Sequence, residues 1–473
     1  MKYIVLVLIA MMTGVSSAKD QPFPERGETA EEFLDRYGQW VETIPAEDRA
    51  WTEMVAVNSQ IVVLFESMSG ITANIDVDRW ERTKLVEENP EIIERIHRYS
   101  EKMYLGVPKN ELSDWSNNDP NFILTPLDIL LPHLGQIRGH AQLLAVDSIL
   151  AARGGDVERA IASMESMYRL QAFIPVSNDI IEGLVEIAVS SLGIGIIDGN
   201  EIELSLLNEE QLVRLRVIYV DNPLGIEIPG WLENEQGLME GLLQSFYKGS
   251  KGGRITLRGT QRFLKVKKLI LGEEEPGDLK DEAAAVRRSI AKYPAQKKIQ
   301  DMFWAVLHQD LIHDSHRLKN FESEAFLSEY SDEDMDFAPA VFMLRSPRRW
   351  YGRSLQYRAS RNAMSLLIAL HIHQLRNGSF PESYDELNAE LLSIPPIDPY
   401  TGELLHFQIQ DGRVVIYSNG LDRDDDGGRS MLDDSGEPEF YPDFLTLDEF
   451  EQINRTDPES IDGDWILYPL VSE

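Results

Sequence analysis

From about residue 28 to 335 the apolar residues recur at helical spacing with few breakers, and the period falls to two only after about residue 400. That switch constrains the fold more than any motif does. A chain patterned for helix over most of its length and for strand in a short tail is a helical body carrying a small mixed module. The clearest helical unit is "QIRGHAQLLAVDSILAARGGDVERAIASMESMYRLQAF". Leu143, Leu144, Val146, Ile149 and Leu150 form one apolar stripe, Gly154-Gly155 interrupts it, and Val157, Ile161, Met164 and Tyr168 carry a second. Asp156 is placed to cap the second helix, so the segment is predicted to be an antiparallel αα-hairpin. It resembles the helix pairs of tetratricopeptide-type solenoids, but no strict repeat period recurs, which predicts an irregular body.

Ala30 to Glu42, Ile92 to Leu105 and Ile180 to Ile197 also read as helices. The last contains "GIGIID", which lacks the third glycine and the preceding strand of a dinucleotide site and reads as close helix packing. Residues 219 to 235 read as a loop and 271 to 282 as a linker. After Pro347 the order changes. Leu355 to Leu375 is a helix closed by Asn377-Gly378, and Pro381 opens a short helix, "PESYDELNAEL". "LLHFQIQ" and "RVVIYS" are strands joined at Asp411-Gly412, and "DWILYPL" is a final strand. The predicted fold is mainly α with a C-terminal α+β module. An irregular helical-hairpin body over 19–345 is followed over 346–473 by a helix and a small antiparallel sheet.

The first 18 residues read as a signal peptide. Lys2 precedes an apolar run from Tyr3 to Met12, and Ser16 and Ala18 supply the small residues of a cleavage site. Export to the periplasm or medium, with cleavage near Ala18, is the expectation. The run falls short of the ~20 residues a membrane span needs, so no transmembrane segment is expected in the mature chain. With no cysteine, disulfides, thiolate catalysis and cysteine metal sites are excluded. The net charge of −35 disfavours nucleic acid and anionic lipid and favours cations. One stretch inverts this charge: residues 241–272 hold eight Lys or Arg and no acid. It reads as a solvated basic face pairing with the acidic remainder. The functional alternative is docking of an acidic partner or membrane surface through the segment around Lys248 to Lys268.

The tail carries "VVIYSNGLDRDDDGGRSMLDD". Calcium takes about six to eight hard oxygen ligands from a flexible loop. Counting from Asp422, aspartates fall at alternate positions (Asp422, Asp424, Asp426), followed by Gly427. A main-chain carbonyl at Gly428, then Ser430 and Asp433, complete the calcium-loop spacing. The loop departs from an EF-hand in ending on Asp and in following a strand. The alternative is a solvated acidic turn.

"LHIHQLRNGSFPESYDEL", "IDPYTGELLHFQ", "VVIYSNGLDRDDDGG" and "IDGDW" occur in an order that resembles the globular domain of the major pseudopilin of type II secretion systems. The resemblance covers about residues 350 to 468. It implies calcium at Asp422, with Asp462 or Asp464 as a second contributor. A conventional signal peptide and a long helical region replace that family's assembly helix, so pilus assembly is not implied. The whole chain also resembles a group of exported bacterial proteins that pair a helical region with such a tail, and that resemblance supplies no activity.

Other chemistry is sparse. "HQDLIHDSH" places His308, His313 and His316 at spacings that match no established zinc pattern, and His371 and His373 point apart on a helix. No nucleophile-elbow, phosphate-loop or zincin motif is present. The expectation is a non-enzymatic exported scaffold with a structural calcium site, whose partner is another protein or envelope component. The alternatives are a periplasmic hydrolase with its site in the body and an accessory of an envelope secretion or surface-assembly system.

Overall fold

A computed structural model describes residues 30–69, 79–109, 111, 133–171, 173–174, 180–199, 201–220, 228–247, 253–270, 279–287, 290, 292–313, 346–387, 391–392, 394–420, 425–430 and 463–469. The signal segment, His316, and Asp422, Asp424 and Asp433 lie outside them.

The helical hairpin forms where the two stripes predict it. Helices α1 (Ala30–Thr43), α2 (Trp51–Ser69), α3 (Arg79–Glu88) and α4 (Pro90–Ser100) lead to α5 (Leu134–Arg153) and α6 (Val157–Gln171). Gly154 and Gly155 donate back to Leu150 and Ala152, and Gly155 takes φ +78°. The Asp156 carboxylate accepts the Arg159 N–H at 3.1 Å, which satisfies one orphan donor of α6. Leu143, Leu144, Ala151, Ile161 and Met164 are buried between the two helices and their neighbours.

The body continues through α7 (Ile180–Asp198) and α8 (Glu209–Val220). Gly193 of α7 lies under the Tyr219 hydroxyl, where a Cβ would come within 3.0 Å, so the "GIGIID" glycine packs one helix on another. Helix α9 (Ile228–Tyr247) begins inside the segment read as a loop. Pro229 sits in its first turn, where a missing N–H costs nothing. Helices α10 (Leu257–Ile270), α11 (Lys280–Val286) and α12 (Tyr293–His313) follow, and α11 starts within the predicted linker. Leu242, Leu243, Phe246, Ile255, Phe263, Leu264 and Ala283 make a second, smaller core within this group.

Helix α13 (Ser346–Asn377) ties body to module. Its first turn holds Pro347, and Gly378 ends it at φ +83°. Leu355, Ala359, Ala363, Leu366, Leu367 and Leu370 are fully buried, against α7 and α8 on one side and against the sheet on the other. The sheet is β1 (His406–Gln410), β2 (Arg413–Ser418) and β3 (Trp465–Tyr468), antiparallel in the order β1-β2-β3. Asp411 and Gly412 both take positive φ, as a type I′ hairpin turn requires. One continuous core runs from Phe33 of α1 to Leu467 of β3. The helix expected after Pro381 is instead a single 3-10 turn, Tyr384–Glu386. Tyr384 packs edge-on against Phe407 and donates to the Leu405 carbonyl at 2.7 Å, and that tertiary pairing displaces the local helix. Among the described residues no helix is long and apolar enough to cross a membrane.

Candidate metal centre

The acidic loop leaves the end of β2, and a buried aspartate fixes that exit. Asp398, in "IDPYTGE", is 1% exposed. Its carboxylate accepts the Tyr400 N–H at 2.9 Å, the Ser418 hydroxyl at 2.9 Å and the Asn419 N–H at 3.2 Å. Burial raises the Asp398 pKa, and these three donors together with the Thr401 side chain pull it down. Gly420 follows at φ +67°, and a Cβ there would lie 3.0 Å from the Gly463 carbonyl. The strand exit is thereby held against the start of β3.

The loop returns at Asp425, across the outer side of the hairpin. His406 and Tyr417 face each other across the β1–β2 register and stack with ring centroids 5.0 Å apart. The Tyr417 hydroxyl donates to Asp425 Oδ1 at 3.1 Å, and the Gly427 N–H donates to the same oxygen at 2.9 Å. Gln408 Nε2 donates to the Gly427 carbonyl at 2.9 Å. Asp425 is therefore committed to the hairpin. Asp426 is not: Arg429 binds its Oδ1, while its Oδ2 is buried without a hydrogen-bond donor.

Asp464, the residue immediately before β3, closes the site. It is fully buried, and residues 429–430 run beside it as a short parallel bridge, with the Asp464 N–H donating to the Arg429 carbonyl at 2.7 Å. Its Oδ2 accepts the Gly428 N–H at 2.7 Å, and the Asp426 N–H also donates to the carboxylate. Gly427 and Gly428 take φ +70° and +82°, which lets successive N–H groups turn toward one anion. Asp464 Oδ1 has no donor, and neither does Asn419 Oδ1. Burial lifts the Asp464 pKa to about 6, and the charges of Asp425 and Asp426 push the same way, against the Gly428 and Asp426 donors.

Of the candidate residues, the structure brings Asp426, Gly428, Ser430 and Asp464 together around the loop's return. Asp422, Asp424 and Asp433 fall outside the described residues. No group of three or more His, Asp or Glu side chains forms a metal-ligand set among the described residues. The donors present are nonetheless of the right kind. Buried oxygens without hydrogen-bond partners lie on both segments flanking 421–424, at Asn419 and Asp426, and at Asp464 just before β3. Hard oxygens left without donors suit calcium, and the shortage of N–H groups leaves a cation as their natural complement.

The body holds a serine, histidine and aspartate in contact that no local sequence pattern announces. Ser163 donates to Asp147 at 2.6 Å, and His97 lies 3.4 Å from Ser163 and 2.7 Å from Ser166. The wiring is not that of a nucleophile relay, in which histidine sits between serine and carboxylate. Asp147 instead binds the serine directly and pairs with Arg159, and Ser163 has no solvent exposure. These groups tie α4, α5 and α6 together. His371 packs edge-on against Phe380 and His373 binds the Ser379 carbonyl, so the two histidines serve different contacts. The side chains of His308 and His313 lie outside what the structure describes. Comparison of the chain with protein-family models, with curated proteins and with solved structures finds no match.

Proposed function

We propose that the protein is an exported, non-enzymatic binding scaffold whose C-terminal module folds around a calcium ion. The observation that carries the calcium half is the pair of buried carboxylate oxygens without donors, Asp426 Oδ2 and Asp464 Oδ1, on carboxylates close enough that the charge of Asp426 raises the proton affinity of Asp464. Asp426 and Asp464 would hold the ion, with Asp422 and Asp424 from the alternating spacing and Gly428, Ser430 and Asp433 in the longer register. The ion would neutralise charge and join the β2 exit to β3. No step of chemistry passes through it. The tail's resemblance to the pseudopilin domain supports the same reading, and the signal-like N-terminus supports export, where free calcium is plentiful enough for a site of modest affinity.

The scaffold half rests on the body's architecture. Stacked helix pairs present broad outer faces, and the polar network at Asp147, Ser163 and His97 is spent on joining helices. Thermal melting of the mature protein with calcium and with chelator tests the calcium half. Ligand at a hundredfold excess over Kd stabilises by about 2.7 kcal/mol, which is a shift of several degrees. Identical melting in both conditions sinks it.

A further inference from the structure

Helices α9 to α12 enclose a core of their own, and the sequence from the end of α9 through α10 is basic in a protein of net charge −35. Residues 241–272 supply eight cations and no acid. On α10 the inner side is fixed by packing. Gly259, Thr260, Phe263 and Leu264 are buried, and a Cβ on Gly259 would fall 1.7 Å from the Phe246 carbonyl oxygen. Arg258, between Leu257 and Gly259 at the start of α10, is exposed.

The start of α12 is joined to this basic edge. The Tyr293 N–H donates to the Gly253 carbonyl at 2.8 Å, and the Pro294 ring lies 3.3 Å from where a Cβ on Gly253 would be. Arg254 therefore stands near an open groove on α12 lined by Tyr293, Pro294, Lys298, Asp301, Met302 and Ala305, with Lys297 between them. Met302 is 47% exposed. Lys297 in the groove is neutralised by Glu240 and Asp301. Arg254 and Arg258 of that segment are exposed and make no ion pair among the described residues, so the expected pairing with the acidic remainder is not made by these two; Lys292 and Lys298 are likewise exposed with no ion pair among the described residues.

We propose that this face docks a short acidic segment of a partner protein, with an apolar side chain seated beside Met302 and carboxylates on Arg254, Arg258, Lys292 and Lys298. Charge decides among occupants. The remainder of the chain carries −43, the total of −35 less the +8 of residues 241–272. A dense polyanion, an anionic membrane or a second copy meets that field as well as the patch. A short segment stays within a Debye length, about 8 Å at physiological salt, and is governed by the local cations. The proposal deepens the scaffold reading and does not depend on calcium.

The test is fluorescence anisotropy of the mature protein with a short labelled Glu/Asp peptide carrying one central Phe. Binding that weakens with salt, falls about tenfold in Arg254→Glu/Arg258→Glu and falls again in Met302→Asp is the expected result. These positions are exposed, and unchanged melting of the variants shows that they fold. Absent binding, or binding indifferent to the charge reversal, overturns the proposal. So does adsorption to phosphatidylglycerol vesicles through these same residues, or a dimer that they abolish. Loss of peptide binding with calcium-dependent melting intact removes this face alone and leaves the calcium reading standing.

Discussion

The Asp464 carboxylate accepts the Gly428 N–H at 2.7 Å, across 36 residues of chain, and leaves its other oxygen buried without a donor. That contact joins the acidic loop to the last strand. Asp464→Asn tests what the carboxylate is for. The amide oxygen keeps the Gly428 bond, while the charge beside Asp425 and Asp426 is removed. In chelator the variant should melt at or slightly above the wild type, and it should lose the calcium-induced shift. A variant that is less stable in chelator and still responds to calcium contradicts the assignment.

Asp398→Ala removes the acceptor of four donors, Ser418 and Asn419 at the β2 exit and Tyr400 and Thr401 in its own turn. Stranding buried donors costs about 1–3 kcal/mol each when no water replaces the carboxylate. A loss of about 3 kcal/mol or more is expected, against about 1 kcal/mol for Ser418→Ala, read by urea denaturation. Calcium affinity should fall with it, because Asn419 leads into the loop.

Glu186 on α7 sets a pH dependence. Burial lifts its pKa from 4.5 to about 8, against the attraction of Arg361 on α13, and its Oε2 has no hydrogen-bond partner. The native state holds this proton across a range where the unfolded chain has released it. The contribution of this group to stability is therefore fully present below about pH 4.5 and is lost as pH rises through about 8. Glu186→Gln should flatten that part of the melting profile, and an unchanged slope would show that another group carries it.

Gly259→Ala should force α10 away from α9, since the new methyl meets the Phe246 backbone and not a side chain that can rotate. A cost of about 3 kcal/mol, in the range for overpacking, should appear as faster hydrogen exchange in α9 to α12. The calcium response of the module should be untouched, because the second core meets the one reaching β3 through partly buried side chains such as Met239 and Ile299, far along the chain from the sheet.

The hairpin of α5 and α6, its Asp156 cap and the Asp411-Gly412 turn were legible because each is set by residues close in sequence. The start of α9 was not, since Pro229 and Gly230 read as breakers although a first turn tolerates proline. The 3-10 turn at Tyr384 escaped because Phe407 and Leu405, which decide it, are about two dozen residues away. At the site, alternating aspartates named the loop. Only the fold shows that Asp425 is committed to Tyr417 while Asp426 keeps a free oxygen beside Asp464. The Ser163, His97 and Asp147 network spans three helices and left no trace in local pattern.

The most direct measurement is amide hydrogen exchange on the protein in calcium and in chelator. Calcium should slow exchange across β2, β3 and residues 425–430 and leave α5 and α6 unchanged, with magnesium giving a weaker effect. Equal exchange of the module in calcium and chelator would contradict the claim that it folds around the ion.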